Sequence, residues 1–370
     1  MKLLYIVNQI HGPGGLERVL SIKASYLAEH YGYEIHFITL NQNETKLFYS
    51  FNSKLTFHNI EAIGNPFKYI KQYRKGIQKI IQKIQPDVIS VCDDGLKGLF
   101  LPLIVGKQCP MIYERHVSKN IEIKKDKQSF FDKLITATKF KLMDFGGSYY
   151  DTFVVLTNGN AKEWNLKNCT VIPNPLSFYP KNSEVSTLKN KLVLAVGKQS
   201  FQKGYDRLLK SWQLVVENHP DWSLSIYGTI NKNQGLDKLA YELGIQNNVN
   251  FYEPEKKIGK KYREASIYVM SSRYEGFGMV LTEAMAYGVP CVSFDCPYGP
   301  SDIINHKVNG ILVKNDDTTT FASSITTLIA NKNNIRNNMG EKAREDVQCY
   351  LPEKIALKWD ALFKRLIHKK

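Results

Sequence analysis

The sequence predicts an α/β protein made of two doubly wound halves, each a parallel sheet with helices on both faces. Three observations predict it. At 370 residues the chain exceeds what one ordinary core holds, since domains of this type run to roughly 150 residues. Apolar β-rich runs alternate with stretches of helical periodicity, the pattern of a parallel sheet rather than of hairpins. After a proline-rich break, the same pattern starts again at Leu192.

The first half opens with Lys2-Leu3-Leu4-Tyr5-Ile6-Val7, a strand that passes through His11-Gly12-Pro13-Gly14-Gly15 into a helical pattern of Val19, Leu20, Ala24 and Leu27. Further strands are expected at 34–39, 55–59, 88–91, 111–114, 153–156 and 169–172. Pro173-Asn174-Pro175 closes this half, because a proline bars the residue before it from helix. The polar stretch 177–191 then has the composition of a linker. In the second half, residues 192–197 form a strand that leads, through a loop ending at Lys203-Gly204, into a helix bearing Leu208, Leu209 and Trp212. Later strands are expected at 223–227, 249–252, 267–271, 290–294 and 310–313. Open parallel sheets bind ligands beyond the carboxyl ends of their strands, so two such sheets facing each other would hold a ligand between them.

Composition narrows the function classes. A hydrophobic fraction of 43% with 23% charged residues excludes a disordered or fibrous chain. The six cysteines are scattered, without a CxxC pair or a His-rich tract, so no zinc framework is expected, and Cys291 and Cys296 read as small core residues. The chain opens directly on a strand, with no basic n-region, apolar h-region and cleavage site. Reduced thiols and a cytoplasmic location are the expectation. The longest apolar stretch, 99–105, falls far short of the roughly 20 residues that span a bilayer.

A formal charge of +15 and a pI near 9.3 favour an anionic partner: nucleic acid, a phosphorylated ligand or an acidic lipid surface. Residues 65–85 carry Lys68, Lys71, Arg74, Lys75, Lys79 and Lys83 without one acid, interleaved with Phe67, Ile70, Ile77, Ile80, Ile81 and Ile84 at helical spacing. The apolar set is expected to dock this helix and leave a basic outer face. Two readings of that face stay open: a solvated charged surface, or one resting on the anionic headgroups of the inner face of the cell membrane.

The densest signal is Ser271-Ser272-Arg273-Tyr274-Glu275-Gly276-Phe277-Gly278, followed by a helical run to Gly288 and Pro290. A strand ends near Ser271, a glycine turn follows, and the helix starting near Gly278 offers free N–H groups and about half a positive charge. Such a terminus can hold a diphosphate. Glu275 before this helix and Glu283 within it could accept hydrogen bonds from the diols of one ligand.

Taken together, these residues resemble the GT-B glycosyltransferases of family 4 (group 1), whose signature is a Glu, a Gly-Phe/Leu-Gly/Pro turn and a second Glu on the ensuing helix. The likeness covers essentially the whole chain. It includes Gly14-Gly15-Leu16-Glu17-Arg18, Ile172-Pro173-Asn174-Pro175, Val196-Gly197-Lys198, Gln202-Lys203-Gly204, and Gly299-Pro300-Ser301-Asp302 before Asn309-Gly310. The resemblance implies two Rossmann-like domains facing across a cleft. Residues 1–176 would bind the acceptor, 177–350 the nucleotide sugar, and 351–370 would be a helix packing back on the first domain.

By the same resemblance, Lys198 and Lys203 are the basic pair that clamps the donor diphosphate. Relatives usually carry Arg at the first position, so Lys198 keeps the charge and gives up the planar fork. Gly14 and Gly15 would let the backbone approach the same phosphates. Glu275, Gly276, Phe277, Gly278 and Glu283 would bind the donor. His116 would position the sugar and stabilise positive charge near its anomeric carbon, and Arg115 would touch the acceptor. The expected catalytic set is His116, Glu275 and Lys203. Transfer would retain the anomeric configuration through front-face attack, with no protein base, no cofactor and no metal, in keeping with the lack of an Asp-x-Asp triplet. The donor implied is a UDP-linked hexose or N-acetylhexosamine. The acceptor implied is a saccharide or lipid-linked saccharide of a surface polysaccharide or glycoconjugate, chosen by loops at 93–99 and 116–140 that carry no legible pattern.

Rival classes are weaker. A nicotinamide-dependent dehydrogenase needs GxGxxG after its first strand, and a P-loop ATPase needs GxxxxGK[ST]; the sequence has neither. A GT-B sugar-nucleotide epimerase or phosphorylase is the closest enzymatic alternative. A nucleic-acid-binding protein would use the charge, but no aromatic RNA motif or helix-turn-helix pattern is present.

Overall fold

The computed structural model describes residues 1–44, 46–123 and 129–368. Counting these, the chain forms two compact units: residues 1–119, 129–177 and 352–368 make one, and residues 120–123 and 178–351 the other.

The first unit is a seven-stranded parallel sheet in the order β3-β2-β1-β4-β5-β6-β7. Its strands are β1 (Lys2–Val7), β2 (Glu34–Leu40), β3 (Thr56–Ile60), β4 (Val88–Cys92), β5 (Met111–Glu114), β6 (Thr152–Val155) and β7 (Cys169–Val171). The central strands are largely apolar and buried because helices cover both faces; all five residues of β4, Ser90 among them, are buried. Tyr5 of β1 sits opposite Phe37 of β2 on one side and Ser90 of β4 on the other. The strand order reverses between β1 and β4, the switch point at which such sheets open a crevice beyond their carboxyl ends.

Helix α1 (Gly15–His30) packs against the last helix, Pro352–His368, which buries Trp359, Leu362 and Phe363. The Tyr33 hydroxyl donates to Asp360 at 2.5 Å. Residues 369–370 lie outside the described residues. Helix α2 (Pro66–Ile84) begins at Asn65, whose side chain accepts from the Lys68 N–H at 3.0 Å, a cap that satisfies one orphan donor. It buries Tyr73, Ile77, Ile81 and Ile84. Phe67 and Ile70 depart from the expectation: they are 90% and 40% exposed. The whole run 63–68 is exposed, so the first turn stands clear of the core and its apolar residues have nothing to dock against.

The stretches read as loops at 93–99 and 116–140 are also corrected. Leu96–Leu99 is a short helix, and an 18-residue helix runs over Phe130–Gly147. The latter starts at a reciprocal capping box between Ser129 and Asp132. Residues 124–128 lie outside the described residues. The sequence carries signals for this helix, with Phe130, Phe131, Leu134 and Ile135 recurring at helical spacing after Ser129.

The second unit is a six-stranded parallel sheet in the order β10-β9-β8-β11-β12-β13. Its strands are β8 (Leu192–Val196), β9 (Ser223–Tyr227), β10 (Val249–Tyr252), β11 (Ile267–Met270), β12 (Cys291–Asp295) and β13 (Gly310–Lys314). Trp212, Phe294 and Phe321 centre its apolar core. No described helix is long and apolar enough to cross a membrane.

Candidate functional site

In the second unit, the turns that leave β8 and β11 meet. After β8, residues 201–203 make one 3-10 turn that ends on Gly204. Gly204 has φ +61°, and a Cβ there would run into the Ser271 carbonyl oxygen. Only glycine combines that left-handed backbone with so close an approach. The two turns are laced together. Arg273 N–H donates to the Gln202 carbonyl at 2.7 Å, and Gln202 Nε2 to the Tyr274 carbonyl at 3.1 Å. The Arg273 guanidinium grips Asp206 with two bonds of 2.9 and 2.8 Å and lies 4.2 Å over Phe201. Burial works against the Asp206 carboxylate, yet the Arg273 fork holds its pKa below the usual range.

This lacing brings Lys203 Nζ within 2.7 Å of Glu275 Oε1. Ser272 Oγ donates to the same oxygen at 2.6 Å. Glu275 Oε2 accepts no hydrogen bond from the described residues. The backbone of Glu275 is pinned too, its N–H to the Pro297 carbonyl at 2.9 Å and its carbonyl to the Tyr298 N–H at 3.1 Å. Gly276 and a buried Phe277 lead to Gly278, which at φ +95° opens the helix Met279–Ala286 without a side-chain cap. The first N–H groups of that helix are therefore left for another acceptor. Lys198 is exposed just past β8. Glu283 stands differently: it is fully buried and accepts from the Tyr262 hydroxyl at 3.0 Å. Lys203, Glu275 and the glycine turn are thus brought together, whereas Glu283 is turned into the core.

The first unit carries a second cluster beyond the ends of β1, β4 and β5. Glu114, at the end of β5, is fully buried, with Oε2 2.5 Å from Lys23 Nζ and 3.2 Å from His116 Nε2, and with Oε1 accepting from Ser90 Oγ at 2.6 Å. Burial alone would raise this carboxyl, but Lys23 and His116 outweigh it and bring its pKa to about 2. The bond to Glu114 makes Nε2 the donor nitrogen of His116, and buried Nδ1 has no partner among the described residues. Lys23 also lies 4.0 Å over the Trp359 ring. Cys92, Glu114 and His116 hold donor atoms within 4.8 Å of one another. Metal binding needs deprotonated ligands; burial followed by the Glu114 charge pushes the Cys92 thiol well up, and the Lys23 ammonium already neutralises Glu114. The trio fits an ion-pair network better than a metal centre.

Arg115 is buried and spent on the loops after β4 and β5, donating to the carbonyls of Val117 and Asp94 at 2.9 Å each. Gly14 is backed by the Glu17 carboxylate, which folds over the start of α1, while a Cβ on Gly15 would meet nothing within 4 Å. Burial raises the Glu17 pKa.

Sequence reasoning missed a pocket of about 580 Å³ at the β1/β4 switch point, lined by Asn8, Glu17, Asp93, Asp94 and Lys97 among others. Asp93 is buried; Oδ1 accepts from Asn8 Nδ2 at 2.8 Å and from the Gly95 N–H at 2.9 Å. Oδ2 accepts no hydrogen bond, with Lys97 Nζ 3.5 Å away. The signal that could have found it is Asp93-Asp94-Gly95 directly after a strand that borders β1.

Comparison with known proteins places the chain in a family. Residues 180–346 match the family described as glycosyl transferases group 1, and residues 14–144 match glycosyl transferase 4-like. An uncharacterized glycosyltransferase of Haemophilus influenzae is 30% identical over 98% of this chain and 99% of its own. The amylovoran biosynthesis glycosyltransferase AmsD of Erwinia amylovora is 30% identical over 97% and 98%. Among solved structures, Anabaena HepE in complex with UDP-glucose superposes with a TM-score of 0.79 at 16% identity, over 99% of this chain and 100% of that one. The fold is GT-B.

Proposed function

The chain belongs to the group 1 glycosyltransferases, and from that we propose a family 4 enzyme that moves a hexosyl or N-acetylhexosaminyl group from a UDP-sugar with retention and without a metal. The observation that carries the reading is the Lys203–Glu275 pair, 2.7 Å apart, beside a helix start with no side-chain cap. In glycosyl transfer, positive charge develops on the sugar and negative charge on the departing diphosphate. Lys203, Lys198 and the N–H groups at Met279 supply the complementary charge, each such donor worth roughly 3 kcal/mol in the transition state. Glu275 has a second task. One of its oxygens holds Lys203 in place, and the other is available to a sugar hydroxyl.

His116 serves as positioner of the reacting sugar. With Nε2 bonded to Glu114, its buried Nδ1, without a partner among the described residues, is left to meet a sugar hydroxyl. The acceptor we propose is a saccharide or lipid-linked saccharide of a surface polysaccharide. The Erwinia relative, named for amylovoran biosynthesis, supports this class, and the UDP-glucose complex of HepE supports the donor class. Asp93 Oδ2, buried without a donor, suits an acceptor hydroxyl.

A panel of nucleotide sugars incubated with saccharide acceptors in the presence of a chelator tests the reading. The expected result is transfer from one UDP-sugar to a glycoside whose new linkage keeps the donor's anomeric configuration. Inversion in the product, or loss of turnover with the chelator, overturns the retaining or the metal-free part.

A further inference from the structure

The structure assigns to the first unit a surface that rests on an anionic phospholipid bilayer, built from two helices on one face of its sheet. This inference is independent of the donor chemistry.

The helix Phe130–Gly147 is one half of the surface. Phe130 and Phe131 are 77% and 73% exposed and Ile135 66%, and Leu134, Leu142 and Phe145 are exposed as well. At about 100° per residue, these six side chains fall within a stripe of roughly 140° on one side of the helix. Met143, the large apolar residue it buries, points to the other side. An apolar stripe of this size facing water calls for a partner.

Helix α2 is the other half. Lys68, Lys71, Arg74, Lys75, Lys79 and Lys83 are all exposed, with no acid between residues 65 and 85. Its first turn adds Phe67, almost fully exposed, and Ile63 precedes it, also exposed. The two helices flank the stretch 96–105 on the same face of the sheet. Ile77 and Ile81 of α2 and Met143 of the other helix join one apolar core with Leu101 and Val105 between them, and Gln78 Nε2 donates to the Val105 carbonyl at 3.0 Å. Leu103, in that intervening stretch, is also exposed.

A protein surface as partner would account for the apolar stripe alone. Six exposed cations on the same face of the sheet match the negative surface potential of a leaflet rich in anionic lipid. Amphipathic helices with this division lie in the interface with the apolar side sunk among the headgroups. No described helix is apolar enough to span, so the contact is peripheral.

Cosedimentation of the full-length protein with phosphatidylcholine vesicles, with and without phosphatidylglycerol, tests the proposal. The wild type should pellet with the anionic vesicles and stay in solution with the neutral ones, and added salt should weaken binding several-fold. Phe131→Ser with Ile135→Ser, and separately Lys71→Glu with Lys75→Glu, should each cut binding at least ten-fold with unchanged circular dichroism and melting. Wild-type protein that stays in solution with anionic vesicles at low salt overturns the proposal. So does a wild-type dimer in analytical ultracentrifugation that Phe131→Ser with Ile135→Ser turns into a monomer, because the stripe would then bind a second copy. The assay reads no sugar transfer, so its failure leaves the enzymatic reading standing.

Discussion

Glu275 gathers two donors, Lys203 and Ser272, on a single oxygen while its backbone is fixed at both ends, an arrangement that sets one carboxylate in one orientation. Replacing Lys203 by Ala should lower the turnover number by about 10²–10³-fold, the loss measured when one preorganised donor to a developing anion is removed, with the circular dichroism spectrum unchanged. The Glu114–Lys23 pair should show itself in stability instead. Both side chains are 1% exposed, so Glu114→Gln leaves a buried ammonium without its counter-charge, at a cost of about 3–5 kcal/mol in denaturant titration. Because folding lowers the Glu114 pKa from the ordinary carboxylate value to about 2, its contribution is complete above about pH 4.5 and is lost as pH falls toward 2. Acid titration of the wild type and of Glu114→Gln should converge over that interval. Glu275 was singled out in the sequence because a glycine turn framed it, and Lys203 through the family resemblance. Asp93 and Glu114 were not, since an acid at a strand end looks like any surface acid until the fold shows it buried.

At the scale of elements, the turn of residues 201–204 decides whether Lys203 reaches its partner. Gly204→Ala must hold φ +61° with a Cβ against the Ser271 carbonyl; the left-handed backbone alone costs about 1–2 kcal/mol, and relief of the clash would pull the turn away from Glu275. A lowered melting temperature accompanied by lost transfer is the expected outcome, read by calorimetry and by a sugar-transfer assay. Strands were read from sequence to within about one residue at nearly every end, because apolar runs bounded by polar turns leave little freedom. Helices were read where they bury a stripe, as α2 does with Tyr73, Ile77 and Ile81. Where burial stops, the reading failed. Phe67 looked like a core residue and is exposed, and the helix Phe130–Gly147 has its apolar residues at helical spacing on a side that packs on nothing, so periodicity marks the helix but not what it docks against.

On the scale of the whole molecule, stability should respond to ligand and to the last helix by separate routes. A nucleotide diphosphate at one hundred times its dissociation constant should stabilise the protein by about 2.7 kcal/mol, seen as a raised melting temperature that Lys203→Ala diminishes. Trp359→Ala should cost about 3–5 kcal/mol, since that ring is buried under Lys23. Apart from the short excursion at residue 120, the chain leaves the first unit for the second at residue 177 and returns at residue 352. The residues that finish the first-made unit are therefore made only after the whole of the second. Its earlier strands can assemble during synthesis, but the face of α1 that receives Trp359 and Phe363 must wait, uncovered, until all of residues 178–351 have been made. A chain terminated early would leave that apolar seam permanently open, an invitation to chaperones and proteases.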